Sequence, residues 1–327
     1  MTVVLFTLGG TIAMAGSAEG GVVARLVGAD LVAAVPGLAD LGHPIDVRDA
    51  RAVPSADLTY RQILDLVDAA SSAVAGGAAG VVVTQGTDTL EETVFLADLL
   101  WPHPEPLVFT GAMRNPTLAG ADGPANLLAA ARVAAAPAAR DLGALVVCHD
   151  EVHAARWVRK THSTSTGAFV SPNTGPLGHV VEGEVRVLTR PRRLPPVPGV
   201  EADRLDAVRV ALHTVTLDED TDLVTNLFRG RDGVVVAGFG VGHVPPALAP
   251  VLGELAERVP VVLTSRTGAG AVLRHTYGAV GSETDLQRRG LVNGGLLDPY
   301  KAKVLLRVLL AAGADRAGIA AEFARRG

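Results

Sequence analysis

Gly80-Val81-Val82-Val83-Thr84-Gln85-Gly86-Thr87-Asp88-Thr89-Leu90-Glu91-Glu92 is the stretch that decides the fold class. A β-branched run from Gly80 to Thr84, too short for a helix, meets a glycine and then a Thr-Asp pair. A helical pattern over Thr89 to Leu100 follows directly. A strand that is apolar at consecutive positions is buried on both faces, as in a parallel sheet covered by helices. The same rhythm continues outward. Strands are expected at Val3 to Leu8, Ile45 to Val47, Leu107 to Thr110 and Ala144 to Cys148. Helices are expected at Ala29 to Ala34, Asp57 to Val74 and Gly123 to Ala136, with Ser55, Asp57 and Asp88 marking helix starts. Strand, helix, strand in this order predicts right-handed crossovers and a mainly parallel sheet.

Thr189 to Gly199 carries four prolines and three arginines with no apolar period, which makes it the best domain boundary. Beyond it, strands at Val208 to Leu212, Gly233 to Ala237 and Val259 to Thr264 alternate with helices. Those helices lie near Pro246 to Arg258, Pro299 to Ala312 and Ala317 to Arg325. The expected fold is therefore two unequal α/β domains. A larger N-terminal one, residues 1–188, has a mainly parallel sheet with flanking helices. A linker over 189–205 leads to a smaller C-terminal α/β domain over 206–327. A length of 327 residues exceeds what one compact core usually holds, which agrees with two domains.

Hydrophobic residues make up 48% of the chain and charged ones 19%, so burial is ample and disorder excluded. Aromatics are only 4%, so the core must be aliphatic. The net charge of −5, without a lysine-rich stripe, argues against nucleic acid as a partner. Arg190, Arg192 and Arg193 alternate with prolines and read as solvated linker. No apolar run reaches the length of a membrane span. The first residues lead into Val3-Val4-Leu5-Phe6 with no basic leader, so a soluble cytoplasmic protein is expected. Cys148 stands alone inside a strand and has no disulfide partner.

Two strand ends carry candidate chemistry. The first reads Thr7-Leu8-Gly9-Gly10-Thr11-Ile12-Ala13 and the second Val83-Thr84-Gln85-Gly86-Thr87-Asp88. In open parallel sheets, ligands sit beyond the carboxyl ends of the strands. Each loop puts a glycine before a threonine there, where backbone can approach a ligand closely. Taken singly, Gly-Gly-Thr is a turn and Thr-Asp an N-cap. Gly-x-Gly-x-x-Gly is absent and Met14-Ala15-Gly16 is expected to continue as loop, so no dinucleotide site is expected.

Together the two loops resemble the signatures of the bacterial-type asparaginase and glutaminase family. The resemblance extends through Gly111-Ala112-Met113-Arg114, Ala121-Asp122-Gly123-Pro124-Ala125-Asn126, Lys160-Thr161-His162, Asn173-Thr174-Gly175-Pro176 and Asp298-Pro299-Tyr300-Lys301. It implies an asparaginase that hydrolyses L-asparagine to L-aspartate and ammonia. Thr11 would be the nucleophile of an acyl-enzyme, with Thr87, Asp88 and Lys160 as a second catalytic cluster. Lys160 could relay a proton, and Asp88 could hold the substrate ammonium. Substrate contacts are expected from Gly10, Ser55, Gly86, Thr87, Asp88, Ala112, His243, Tyr277 and Glu283. Glu283 resembles the acidic residue that reaches a neighbouring subunit's site, which implies a homotetramer built as a dimer of dimers. No metal or cofactor is expected, and the partner is a small amino-acid amide.

Three features depart from the family. The loop after Thr11, Met14 to Arg25, lacks its usual tyrosine. The carboxylate clamp is reduced to Ser55-Ala56-Asp57, in which Ser55 serves equally as an N-cap. An asparagine expected from the second domain is replaced by His243. Tyr277 and His243 are candidates to compensate, and a Tyr packed under its own loop is the plain alternative. A broader glutaminase-asparaginase or amidase, or a non-catalytic amino-acid-binding protein on the same scaffold, are the competing readings. A transfer-RNA-linked amidase is disfavoured, since strand one begins at Val3.

Overall fold

A computed structural model describes residues 1–10, the backbone of 14–16 and 22–24, and residues 32–327. It divides into two compact units, Met1–Pro196 and Val197–Gly327.

The first unit contains twelve described strands. They are β1 Thr2–Thr7, β2 Met14–Gly16, β3 Val22–Ala24, β4 Ile45–Asp49, β5 Ala78–Thr84 and β6 Leu107–Thr110. The rest are β7 Ala144–Cys148, β8 Glu151–Ala154, β9 Arg159–Lys160, β10 Phe169–Val170, β11 Gly178–Val181 and β12 Glu184–Val187. Its helices are α1 Tyr60–Ala75, α2 Leu90–Leu100 and α3 Gly123–Ala135. Eight strands form one sheet in the order β12-β11-β8-β7-β6-β5-β1-β4. From β4 to β7 all neighbours are parallel; from β7 onward they are antiparallel.

The switch to antiparallel has a local cause. His149 and Asp150 both take positive φ (55° and 60°), so β7 turns straight back into β8 by a two-residue hairpin. Glu182 and Gly183 do the same between β11 and β12. The parallel half matches the sequence expectation, and the antiparallel extension is new.

Central strands bury both faces because helices cover both. Val82, Val108, Leu145 and Val147 meet Leu127, Ala130, Ala131 and Ala134 of α3 in one aliphatic core. On the other face, α1 packs on β5 and α2 on β6 and β7. The buried positions Ile63, Leu66, Val67, Ala70 and Ala73 of α1 follow helical spacing.

Three local expectations are corrected. Neither Ser55 nor Asp57 caps α1: they form a short 3-10 turn, and Thr59 is the N-cap in a capping box with Gln62. Asp88 does not cap α2; Thr89 occupies that position, and the Asp88 side chain goes elsewhere. Met14-Ala15-Gly16 is not loop but a strand paired antiparallel with Val22–Ala24, a pairing that needs no glycine fingerprint and gives no periodic signal in three residues. Of the helix expected over Ala29 to Ala34, residues 29–31 lie outside the described residues, and Val32 and Ala33 are helical.

The second unit holds α4 Ala202–Ala207, β13 Val210–Thr214, α5 Thr221–Phe228, β14 Gly233–Gly238, α6 Leu248–Arg258 and β15 Val261–Ser265. These are followed by α7 Glu283–Arg288, β16 Val292–Asn293, α8 Pro299–Ala311 and α9 Arg316–Arg326. Its four strands run parallel in the order β13-β14-β15-β16. Asp298 caps α8 through the Tyr300 and Lys301 amides, with Pro299 at the first helical position. The same carboxylate takes the buried Lys301 Nζ at 2.9 Å, which satisfies a charge that burial would otherwise penalise. No helix among the described residues is long and apolar enough to cross a membrane.

Candidate active site

The ladder hydrogen bonds of the sheet run on to the strand ends and fix the loops beyond them. Leu8 N donates to Thr84 O at 2.9 Å and Gln85 N to Thr110 O at 3.0 Å. Gly10, at φ +94°, then lies so close to the β5 loop that an added Cβ would sit 2.2 Å from Gly86 N. A Cβ on Gly86 would in turn meet Ser55 Oγ at 2.8 Å. The two glycine-threonine loops are therefore packed backbone against backbone, which no side chain larger than hydrogen allows.

Ser55 belongs to this junction. Its Oγ accepts from Asp88 N at 3.2 Å, and its carbonyl accepts from Thr89 Oγ1 at 2.9 Å. The N-cap alternative for Ser55 thus falls away; its hydroxyl holds the Asp88 loop. Gln85, fully buried, donates from Nε2 to Thr89 Oγ1 (3.3 Å) and Thr93 Oγ1 (3.1 Å) and braces the loop from below.

Lys160 arrives from β9. Its Nζ donates to Thr87 Oγ1 and to Asp88 Oδ1, each at 2.9 Å. The environment is graded: Thr87 is 6% exposed, the Lys160 side chain 15%, and the Asp88 side chain 73%. The ammonium thus joins a buried hydroxyl to a solvated carboxylate. The backbone of Lys160 is held as well, its amide donating to Glu91 Oε2 at 3.3 Å. Glu91, on the second turn-forming position of α2, is buried and lies 4.0 Å from Arg159 Nε.

The next loop completes the strand-end cluster. Ala112 is buried, and Asn126 Nδ2 on α3 donates to Gly111 O at 2.9 Å while its Oδ1 accepts from His149 N. Asp122 gathers the amides of Met113 and Arg114. Among the described residues no acceptor is recorded for the amides of Gly10, Thr87 or Ala112. Thr11 lies outside the described residues.

His243, Tyr277 and Glu283 come together in the second unit. Glu283 is completely buried, and its Oε1 accepts from Thr276 N (2.9 Å) and Tyr277 N (2.8 Å). Its Oε2 meets His243 Nε2 at 3.2 Å. The rings of His243 and Tyr277 are in edge-to-face contact, with centroids 4.9 Å apart. Burial alone would raise the Glu283 carboxyl pKa; the amides of Tyr277, Thr276 and Glu283 itself, with His243, outweigh it and hold the group below the usual carboxylate range. Ser282 caps α7, its hydroxyl accepting from Asp285 N. Tyr277 is half exposed, so it does not pack under its loop.

Residues 2–193 match the sequence pattern of the asparaginase N-terminal domain, and residues 209–323 that of the glutaminase/asparaginase C-terminal domain. The chain belongs to the asparaginase family. It is 35% identical over 326 residues to a Deinococcus radiodurans protein called probable L-asparaginase, covering 98% of this chain and 96% of that one. It is 33% identical over 318 residues to a Bacillus licheniformis L-asparaginase, covering 94% and 95%. A solved structure, the probable cytoplasmic L-asparaginase of Campylobacter jejuni, superposes with a TM-score of 0.86 at 31% identity over 99% of both chains.

As a family member, the chain places its expected site residues in two groups: Gly10, Ser55, Gly86, Thr87, Asp88, Ala112 and Lys160 in the first unit, and His243, Tyr277 and Glu283 in the second. Gln85, Glu91 and Asn126 also support the cluster, and no motif in the sequence signals that role. Glu91 and Glu92 read in sequence as ordinary first-turn helix acids, and only the buried state of Glu91 separates them. No group of three or more His, Cys, Asp or Glu side chains able to hold a metal occurs among the described residues.

Proposed function

We propose that the chain is an L-asparaginase that hydrolyses L-asparagine to L-aspartate and ammonia, working as a cytoplasmic enzyme. The observation that carries this reading is the Lys160 ammonium bonded at once to Thr87 Oγ1 and Asp88 Oδ1, at the carboxyl end of β5. A surface lysine has no reason to enter a 6%-exposed threonine hydroxyl; a proton route does.

In this mechanism Thr11 Oγ1 attacks the side-chain carboxamide of asparagine. The C–N bond breaks, ammonia leaves with a proton, and an aspartyl ester remains on Thr11. Water then attacks the ester and releases L-aspartate. The Lys160 ammonium gives a proton through the Thr87 hydroxyl, which already lies in hydrogen-bond reach of Nζ, to the departing amine and regains one as Thr11 loses its own. The unengaged amides of Gly10, Thr87 and Ala112 supply donors for the carboxamide oxygen as it gains charge. The Asp88 carboxylate, 73% exposed, suits the α-ammonium of the substrate. Ser55, busy with the Asp88 amide, keeps that carboxylate in place. In a homotetramer, His243 and Tyr277 reach the α-amino group from a neighbouring copy, and Glu283, completely buried, holds both in place instead of reaching the substrate itself. His243 thus stands where the family has an asparagine, and Tyr277 supplies a hydroxyl that the Thr11 loop lacks.

Ammonia release from L-asparagine, L-glutamine and N-substituted amides, with Thr11→Ala as control, tests the reading. Release from L-asparagine that disappears in Thr11→Ala is the expected result. Release from none of these amides, or release that survives Thr11→Ala, overturns it. Asparagine and glutamine differ by one methylene, worth about 1–3 kcal/mol, so a glutaminase side activity of a few per cent is expected.

A further inference from the structure

The first unit buries a second polar array that takes no part in the steps above. His153 on β8 is completely buried, and its Nδ1 lies 3.0 Å from Ser171 Oγ, itself 5% exposed. Glu151 Oε2 is 3.1 Å from His153 Nε2, out of line with the ring N–H. Burial pushes the imidazole pKa down; Glu151 raises it and His179 lowers it further. The Nδ1–Ser171 hydroxyl contact is a hydrogen bond in either ring tautomer, since both atoms can donate or accept.

Ser171 directly follows β10, and β10 is the strand on which Lys160 depends. Phe169 pairs with Lys160 and Val170 with Arg159, and no further rungs belong to these strands. Thr161 adds two bonds beyond the pair, its amide and its hydroxyl both donating to Ala168 O, at 2.8 and 3.2 Å. An isolated two-stranded ribbon of this length does not hold its register in water. Here it is pinned at both sides. Glu91 takes the Lys160 amide, while Ser171 is fixed through its hydroxyl by His153 and through its carbonyl by the Thr174 and Gly175 amides.

We propose that His153 is a positioning residue for Lys160: through the Ser171 hydroxyl it fixes the end of β10, and β10 fixes the register that brings Nζ to Thr87 and Asp88. The proposal rests on the reading of Lys160 as a catalytic group. Displacement of a reacting group by about 1 Å costs on the order of a hundredfold in rate, so even partial slippage of the ribbon shows in turnover.

The test measures kcat, KM and thermal unfolding for His153→Leu, His153→Asn, Ser171→Ala and Lys160→Met. His153→Leu should lower kcat by on the order of tenfold or more with KM nearly unchanged, since the substrate contacts stay in place. His153→Asn, whose amide takes the place of Nδ1, should restore most of the loss. Ser171→Ala should reproduce His153→Leu, and the double variant should be no slower than either single one. A folded His153→Leu with wild-type kcat, or a His153→Asn no better than His153→Leu, overturns the proposal. Should His153→Leu fail to fold, Ser171→Ala, which removes one oxygen, decides by the same kcat criterion. Lys160→Met separates the two readings: normal turnover in that variant ends the assignment of Lys160 itself, whereas an inactive Lys160→Met beside a normal Ser171→Ala ends only the role of His153.

Discussion

Replacing Lys160 by methionine removes the ammonium and keeps an unbranched stem, and its effects on stability and turnover should part company. On the stability side, Asp88 is 73% exposed and regains water once its partner goes, so that half of the pair contributes no more than about 1 kcal/mol. Thr87 is 6% exposed and loses a charged donor while keeping its own O–H; a further 1 kcal/mol or so is reasonable. A loss of about 2 kcal/mol lowers Tm by roughly 4–8 °C in a domain of this size. On the chemical side, losing a positioned proton carrier costs on the order of 10²- to 10⁴-fold in kcat. Coupled ammonia-release kinetics on L-asparagine, run beside a circular-dichroism melt, reads both. Lys160→Arg should not rescue, because guanidinium does not give up its proton and its planar fork cannot serve the two oxygens from one atom. A well-folded Lys160→Met within tenfold of wild type would refute the reasoning.

Other outcomes follow from the same geometry. Gly10→Ala drives a Cβ to within 2.2 Å of Gly86 N at a φ of +94°, a strain of about 1–3 kcal/mol plus a displaced loop; activity should fall at least a hundredfold at 25 °C, read by ammonia release. Glu283 has a depressed pKa, so its contribution to stability is present above the ordinary carboxylate pKa and fades as pH falls through the folded value. Urea unfolding at neutral and acidic pH should therefore show a shallower acid loss in Glu283→Gln than in wild type. Burial pushes the Cys148 thiol up to about 12, against a weaker opposing bond from the Gly111 backbone. Neutral iodoacetamide should leave the folded chain unlabelled and modify Cys148 only in denaturant, as read by intact mass.

The parallel half of the first unit was legible because its central strands are unbroken, mostly apolar runs, and Leu107–Thr110 and Ala144–Cys148 fall on the expected residues. The antiparallel half was not. Glu184–Val187 alternates charge and valine for only four residues at a sheet edge, a weak signal, and β9 and β10 hold two residues each, too few for any period. Their positions come from tight turns such as His149-Asp150, whose positive φ angles suit residues tolerant of that conformation but do not announce themselves in sequence.

For the site, the motifs point to Thr87, Asp88 and Lys160, each in a short, distinctive segment, and the structure brings the three into one hydrogen-bonded cluster. Helix capping departs from the sequence expectation for a physical reason. Ser55 and Asp88 are good capping residues, but Ser55 takes the Asp88 amide and Asp88 takes Lys160, so Thr59 and Thr89 stand at the helix starts instead. A side chain claimed by a tertiary partner is unavailable to its own helix, and one-dimensional spacing does not register the competitor.

The most direct measurement of the central claim is single-turnover ammonia release from L-asparagine by the purified chain and by Thr87→Ala. Wild type should release one equivalent rapidly, and folded Thr87→Ala should be slower by on the order of a hundredfold or more, with Thr87→Ser recovering part of the rate. Equal release by wild type and Thr87→Ala would contradict the account, because the hydroxyl that Lys160 engages would then have no part in breaking the amide.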